Sequence, residues 1–124
     1  MPILSAPAVP THELPGTRFT SLATPTRGGA HVSVWQVEMQ PGTDPVPHEL
    51  TKGEVFVVLA GEAEVHLGGD VLRAGAGDVI VVPPRVPFAL AAKGDTPFRA
   101  HVCMPVDGQA MLADGTAFTP PWAQ

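Results

Sequence analysis

Between residues 30 and 105 the chain is a succession of short apolar runs that alternate with polar residues and stop at glycine or proline. In residues 30–40, Trp35, Val37 and Met39 share one face while Gln36, Glu38 and Gln40 share the other, the two-residue period of a half-buried strand. Extended backwards, the apolar face takes in Ser33 and His31, yet Val32 and Val34 contest it, which leaves the direction of His31 open. Residues 62–67 alternate cleanly, with Ala63, Val65 and Leu67 inward and Glu64 and His66 outward, before a Gly68-Gly69-Asp70 hairpin turn. Residues 71–73 read as a short strand, and residues 79–82 are continuously apolar, as for a strand covered on both faces. Pro83, Pro84 and Pro87 deny residues 83–87 the amide donors of a central strand. Residues 88–91 resume strand character. Residues 98–104 form the last strand, with Phe98, Ala100, Val102 and Met104 on one face and Arg99, His101 and Cys103 on the other.

Seven or eight short strands, turns every eight to twelve residues and no trustworthy helical period predict an all-β jelly roll, either sandwich or barrel. The 124 residues suit one domain. Within it the pattern separates an N-terminal extended arm over residues 1–29, a barrel over 30–105 and a C-terminal tail over 106–124 packing on the barrel. Leu4, Val9, Leu14, Phe19 and Leu22 are too widely spaced for a regular element but too apolar for a solvated tail. The arm is therefore expected to lie against the barrel or a partner subunit. Because an unpaired sheet edge invites pairing, a homodimer through arm or edge-strand exchange is the expected assembly.

Composition narrows the class. Charged residues make up 15% and hydrophobic ones 44%, which excludes global disorder, and the 13 Gly and 15 Pro are spaced as punctuation. A net charge of −5 argues against nucleic acid or an anionic membrane as partner. The lone Cys103 leaves no internal disulfide and fits a reducing compartment. No apolar run approaches the roughly 20 residues that span a bilayer. The first residues lack the basic start and long apolar region of a signal peptide, so the expected location is cytoplasmic.

One stretch, residues 41–61, stands apart. A Pro-Gly turn and a proline-stiffened loop carry His48, and Glu54 heads the Val/Phe/Leu run that stops at Gly61. A histidine and a glutamate at the mouth of an apolar strand are costly unless they find partners or do chemistry. The spacing Gly42, His48, Glu54, Gly61 resembles the first motif of the cupin superfamily, G-x5-H-x-H-x3-E-x6-G, with Leu50 at the second His position. Gly77 and Pro83 match the second motif, G-x5-P-x-G-x2-H-x3-N, with Arg85, Phe88 and Ala92 at its Gly, His and Asn positions. The resemblance covers residues 30–105 and implies a cupin jelly roll. It implies no single activity, since cupins include isomerases, dioxygenases, decarboxylases, sugar binders and storage proteins.

The resemblance also implies a divalent metal held by three His and one Glu, of which this chain keeps His48 and Glu54, with His31 the candidate third ligand. Such a site would hold either no cofactor or a weakly bound divalent transition metal. His12 lies in the arm, unconstrained, and His66 and His101 read as outward. Without a metal, His48 and Glu54 become an acid/base pair or a polar anchor, with His48 near enough in the motif to offset the burial of Glu54. Trp35, Met39, Leu50, Phe56, Phe88 and Val102 are the candidate pocket wall. The readings that stand together are a barrel binding a small, largely apolar organic molecule, a metal-dependent enzyme of dioxygenase or isomerase type with an incomplete site, and a non-catalytic sensing module. A fourth leaves His48 and Glu54 as rim residues of a barrel that catalyses nothing.

Overall fold

The structure is a computed structural model and describes residues 3–29 and 31–124. In chain order the strands are β1 (His12–Leu14), β2 (Thr17–Ala23), β3 (Val32–Met39), β4 (Glu49–Leu50), β5 (Glu54–Ala60), β6 (Glu62–Leu67), β7 (Asp70–Gly75), β8 (Val79–Val82), β9 (Phe88–Lys93), β10 (Phe98–Pro105), β11 (Ala110–Met111) and β12 (Ala117–Phe118). All pairings are antiparallel, in sheets ordered β1-β2-β3-β10-β5-β8, β7-β6-β9 and β12-β11-β4. Side chains from all three sheets meet in one hydrophobic core, the jelly-roll arrangement the alternation predicts. No helix among the described residues is long and apolar enough to cross a membrane.

The two-residue period decides which side chains enter that core. On β10, Phe98, Ala100, Val102 and Met104 are at most 1% exposed. On β3, Ser33, Trp35 and Val37 are buried while Val32 is exposed, which settles the contested face. On β5, Glu54 falls in step with Phe56 and Val58, so a carboxyl occupies a core position.

Three features depart from the sequence expectation. Strand β8 is not covered on both faces: Val79 and Val81 are 56% and 61% exposed on the outer face of the large sheet, and only Ile80 and Val82 point inward. Val57 and Leu59 of β5 continue this apolar outer surface. The strand buried on both faces is β9, with every residue from Phe88 to Ala92 buried. Lastly, the expected arm does lie against the barrel, but as regular strands: its residues supply β1 and β2, and β2 pairs along its length with β3 of the same chain, placing Phe19 opposite Val37.

Two backbone positions carry special geometry. Gly61 turns the chain from β5 of the large sheet to β6 of another with φ of 76°, and a Cβ there would run into the Pro97 carbonyl oxygen, so only glycine fits. Arg85 also has positive φ, 64°, at the position where the resembled motif has glycine. Its amide donates to the Leu50 carbonyl at 2.8 Å, which holds the loop in place despite the strain. Asparagine tolerates this conformation better than arginine. Arg85→Asn is therefore expected to stabilise the fold by about 0.5–1 kcal/mol. Urea denaturation checks it, and an unchanged or lower midpoint would count against the strain.

Candidate functional site

The inward faces of β3, β5 and β9, together with β2 and the C-terminal tail, enclose a cavity of about 800 Å³. Its wall includes Trp35, Met39, Leu50, Phe56 and Phe88, as well as His48 and Glu54. Val102 is buried but not on the wall: its cross-strand neighbours are Trp35 and Phe56, whose longer side chains reach the cavity instead.

His48 is placed by its backbone. Its amide donates to the Phe88 carbonyl at 2.9 Å and its carbonyl accepts from the Phe88 amide at 2.8 Å, tying the first motif to the second. The imidazole meets the Phe88 ring edge-to-face at a centroid distance of 5.5 Å. Nδ1 lies 2.9 Å from the Val46 carbonyl oxygen. A carbonyl only accepts, so Nδ1 carries a proton and donates it, which leaves Nε2 as the nitrogen that can accept when the ring has one proton.

Glu54 is 8% exposed and, among the described residues, has no hydrogen-bond or ion-pair partner. Among the described residues no side-chain polar atom is both sealed from solvent and unpaired, so its carboxyl oxygens open onto the cavity. Burial pushes its pKa up from an ordinary 4.5 to about 8, and the group is protonated at neutral pH. The expected pairing with His48 is not formed, since the histidine is engaged by Val46 and Phe88. The proton does what a partner would have done.

The other candidates lie elsewhere. His31 is exposed, its carbonyl accepts the Val106 amide, and it is not on the cavity wall. His66 is half-exposed on β6 and hydrogen-bonds Glu64 at 2.9 Å, an interaction that holds the Glu64 carboxyl below its usual range. His101 is exposed on the outer face, and His12 bonds Thr11 at 2.9 Å.

These positions do not fit a metal. Leu50 and Phe88, 1% and 2% exposed, fill two of the ligand places of the motif with apolar atoms. No three His, Cys, Asp or Glu side chains gather to hold an ion among the described residues.

Sequence reading missed the walls contributed by the two ends of the chain. Phe19 of β2 and Trp122 stack face to face, centroids 3.6 Å apart and planes within 4°, and both line the cavity. Leu112 and Phe118 of the tail line it too. The signal available was the surplus of apolar residues in segments without a period.

The cupin domain family matches residues 35–104, and the chain belongs to that family. Among solved structures, salicylate 1,2-dioxygenase from Pseudaminobacter salicylatoxidans is 27% identical over 73% of this chain, with a TM-score of 0.64. This chain spans only 26% of that enzyme. A cupin-like protein from Thermotoga maritima is 22% identical, with TM-score 0.66 over 73% of this chain and 69% of its own. An RmlC-like cupin from Shewanella frigidimarina is 20% identical, with TM-score 0.62 over 73% of this chain and 76% of its own. The last two establish likeness of fold alone. No curated protein matches the chain.

Proposed function

We propose that this cupin binds a small, largely apolar organic molecule inside its barrel and orients it with Glu54 and His48. The observation that carries the reading is a cavity of about 800 Å³, walled mainly by apolar side chains, into which one neutral carboxyl opens without a protein partner. Cavities of several hundred Å³ with a few convergent polar groups are the usual form of a small-molecule site. Protonated Glu54 can donate a hydrogen bond, and Nε2 of His48 can accept one. Were the ligand to react, the same two groups would serve as acid and base.

Both tryptophans of the chain, Trp35 and Trp122, lie on the wall and report on its contents. Titrating nitrogen-labelled protein with 2-naphthol, or with its saturated analogue 2-decalol, is expected to shift both indole N–H signals to saturation. No saturable shift with either compound would remove the reading.

A further inference from the structure

The chain contains five Phe, two Trp and no Tyr, and every one of these aromatic residues lies on the cavity wall. The wall takes all seven aromatic residues but only six of the 27 Leu, Ile and Val of the chain, so rings are concentrated there beyond what bulk alone requires. Phe19–Trp122 and Phe56–Phe88 are already paired, with Phe56 and Phe88 centroids 5.6 Å apart, so the ring faces and edges of the wall are held in fixed orientation. Such a wall favours a flat π-system over a saturated skeleton of equal volume.

The second observation is charge. Among the described residues the wall carries no Lys and no Arg, and its titratable members are Glu54, His48 and Asp44. Asp44 is exposed, next to Val46, which is 64% exposed, and therefore stands at the rim rather than inside. An anion entering this space would meet no Lys or Arg side chain, and desolvating it would cost several kcal/mol. A cation would gain the ring faces but must give up its hydration to reach a carboxyl that is already neutral.

We infer that the ligand is a neutral aromatic molecule of about two or more rings bearing a hydroxyl or carbonyl oxygen, rather than an aromatic carboxylate. This rests on the cavity reading above and names its ligand class. The oxygen accepts from the Glu54 carboxyl, a hydroxyl can donate to Nε2 of His48, and the rings lie among the aromatic side chains. The class differs from the anion named in salicylate 1,2-dioxygenase, the 27% identical structure.

Matched probes on one ring system test it at neutral pH: 2-naphthol, 2-naphthoate, 2-naphthylmethylammonium, naphthalene and 2-decalol, by calorimetry and by the two indole signals. 2-Naphthol is expected to bind about tenfold more tightly than 2-decalol and at least about a hundredfold more tightly than 2-naphthoate. It should also bind more tightly than the ammonium compound. Glu54→Leu, which places an apolar side chain at a core position, is expected to lower the affinity for 2-naphthol about tenfold relative to that for naphthalene. Tighter binding of 2-naphthoate or of the ammonium probe would overturn the assignment of a neutral ligand. Equal binding of 2-decalol would overturn its aromatic character. An equal effect of Glu54→Leu on naphthol and naphthalene would remove the hydrogen bond. Any of these outcomes leaves the cavity reading standing, whereas that reading fails if no probe binds.

Discussion

Glu54→Gln is expected to gain stability over the unmodified protein as pH rises, by little at pH 5, about 3 kcal/mol at pH 7 and towards about 5 kcal/mol above pH 8. The sign follows from where the protons are. In the unfolded chain Glu54 ionises around 4.5, whereas burial in the fold raises its pKa to about 8. Below 4.5 both states hold the proton and the site costs nothing. Between 4.5 and 8 the folded state holds a proton that the unfolded state has lost, so stability falls with each pH unit. Above 8 the folded state must ionise a carboxyl among Phe56, Phe88 and Leu50, and the penalty is complete. Glutamine keeps the shape and cannot ionise. Its own stability should lack this slope, so the two urea-denaturation midpoints diverge from pH 5 to pH 9. Parallel profiles would mean that Glu54 is ionised and partnered in the fold, and the neutral donor on which ligand recognition depends would be lost with it.

That expectation marks where sequence reading reached its limit at the site. The motif spacing was enough to bring His48 and Glu54 to one cavity, because alternation along β5 puts Glu54 in step with Phe56 and Val58. It could not show that the histidine ring would be engaged by the Val46 carbonyl and the Phe88 ring, contacts that depend on loop conformation and on the β9 backbone. Spacing counts residues; it does not show which way a ring turns.

The same division holds for the fold. Strands β3, β6 and β10 have one face in the core, so their sequences alternate and their inward residues could be read directly. Strand β8 misled because its outer face carries valines where polar residues are usual, so an exposed edge has the sequence of a buried strand. Strand β2 was hidden for another reason. Its pairing with β3 is visible only when the two are side by side, and Phe19 alone in a Pro/Thr-rich segment gives no period. The tail is the extreme case. The buried hydroxyl of Ser21 donates to the Trp122 carbonyl at 2.8 Å and that of Ser33 to the Ala123 carbonyl at 2.6 Å, across separations of 101 and 90 residues. No local pattern can encode contacts that distant.

Trp122→Ala is expected to destabilise the protein by about 3 kcal/mol, lowering the melting temperature by about 10 °C or more, and to weaken 2-naphthol binding. The indole covers Phe19 in a parallel stack at 3.6 Å, and Phe19 is itself only 8% exposed in the core. Truncation therefore loses the tryptophan's own packing and also opens Phe19 to water. The backbone bonds that pin the tail to Ser21 and Ser33 survive the change, because they use main-chain carbonyls of residues 122 and 123. The loss should thus fall on packing and on the cavity wall rather than on the attachment of the tail. Trp122→Phe, which keeps a ring over Phe19, should recover most of both stability and binding. A melting temperature within about 3 °C of the unmodified protein for Trp122→Ala, less than about 1 kcal/mol, would show that the tail is not a structural wall of the cavity. Lost stability with full naphthol affinity would instead make Trp122 a prop for Phe19, leaving the ligand to the rings of Trp35, Phe56 and Phe88.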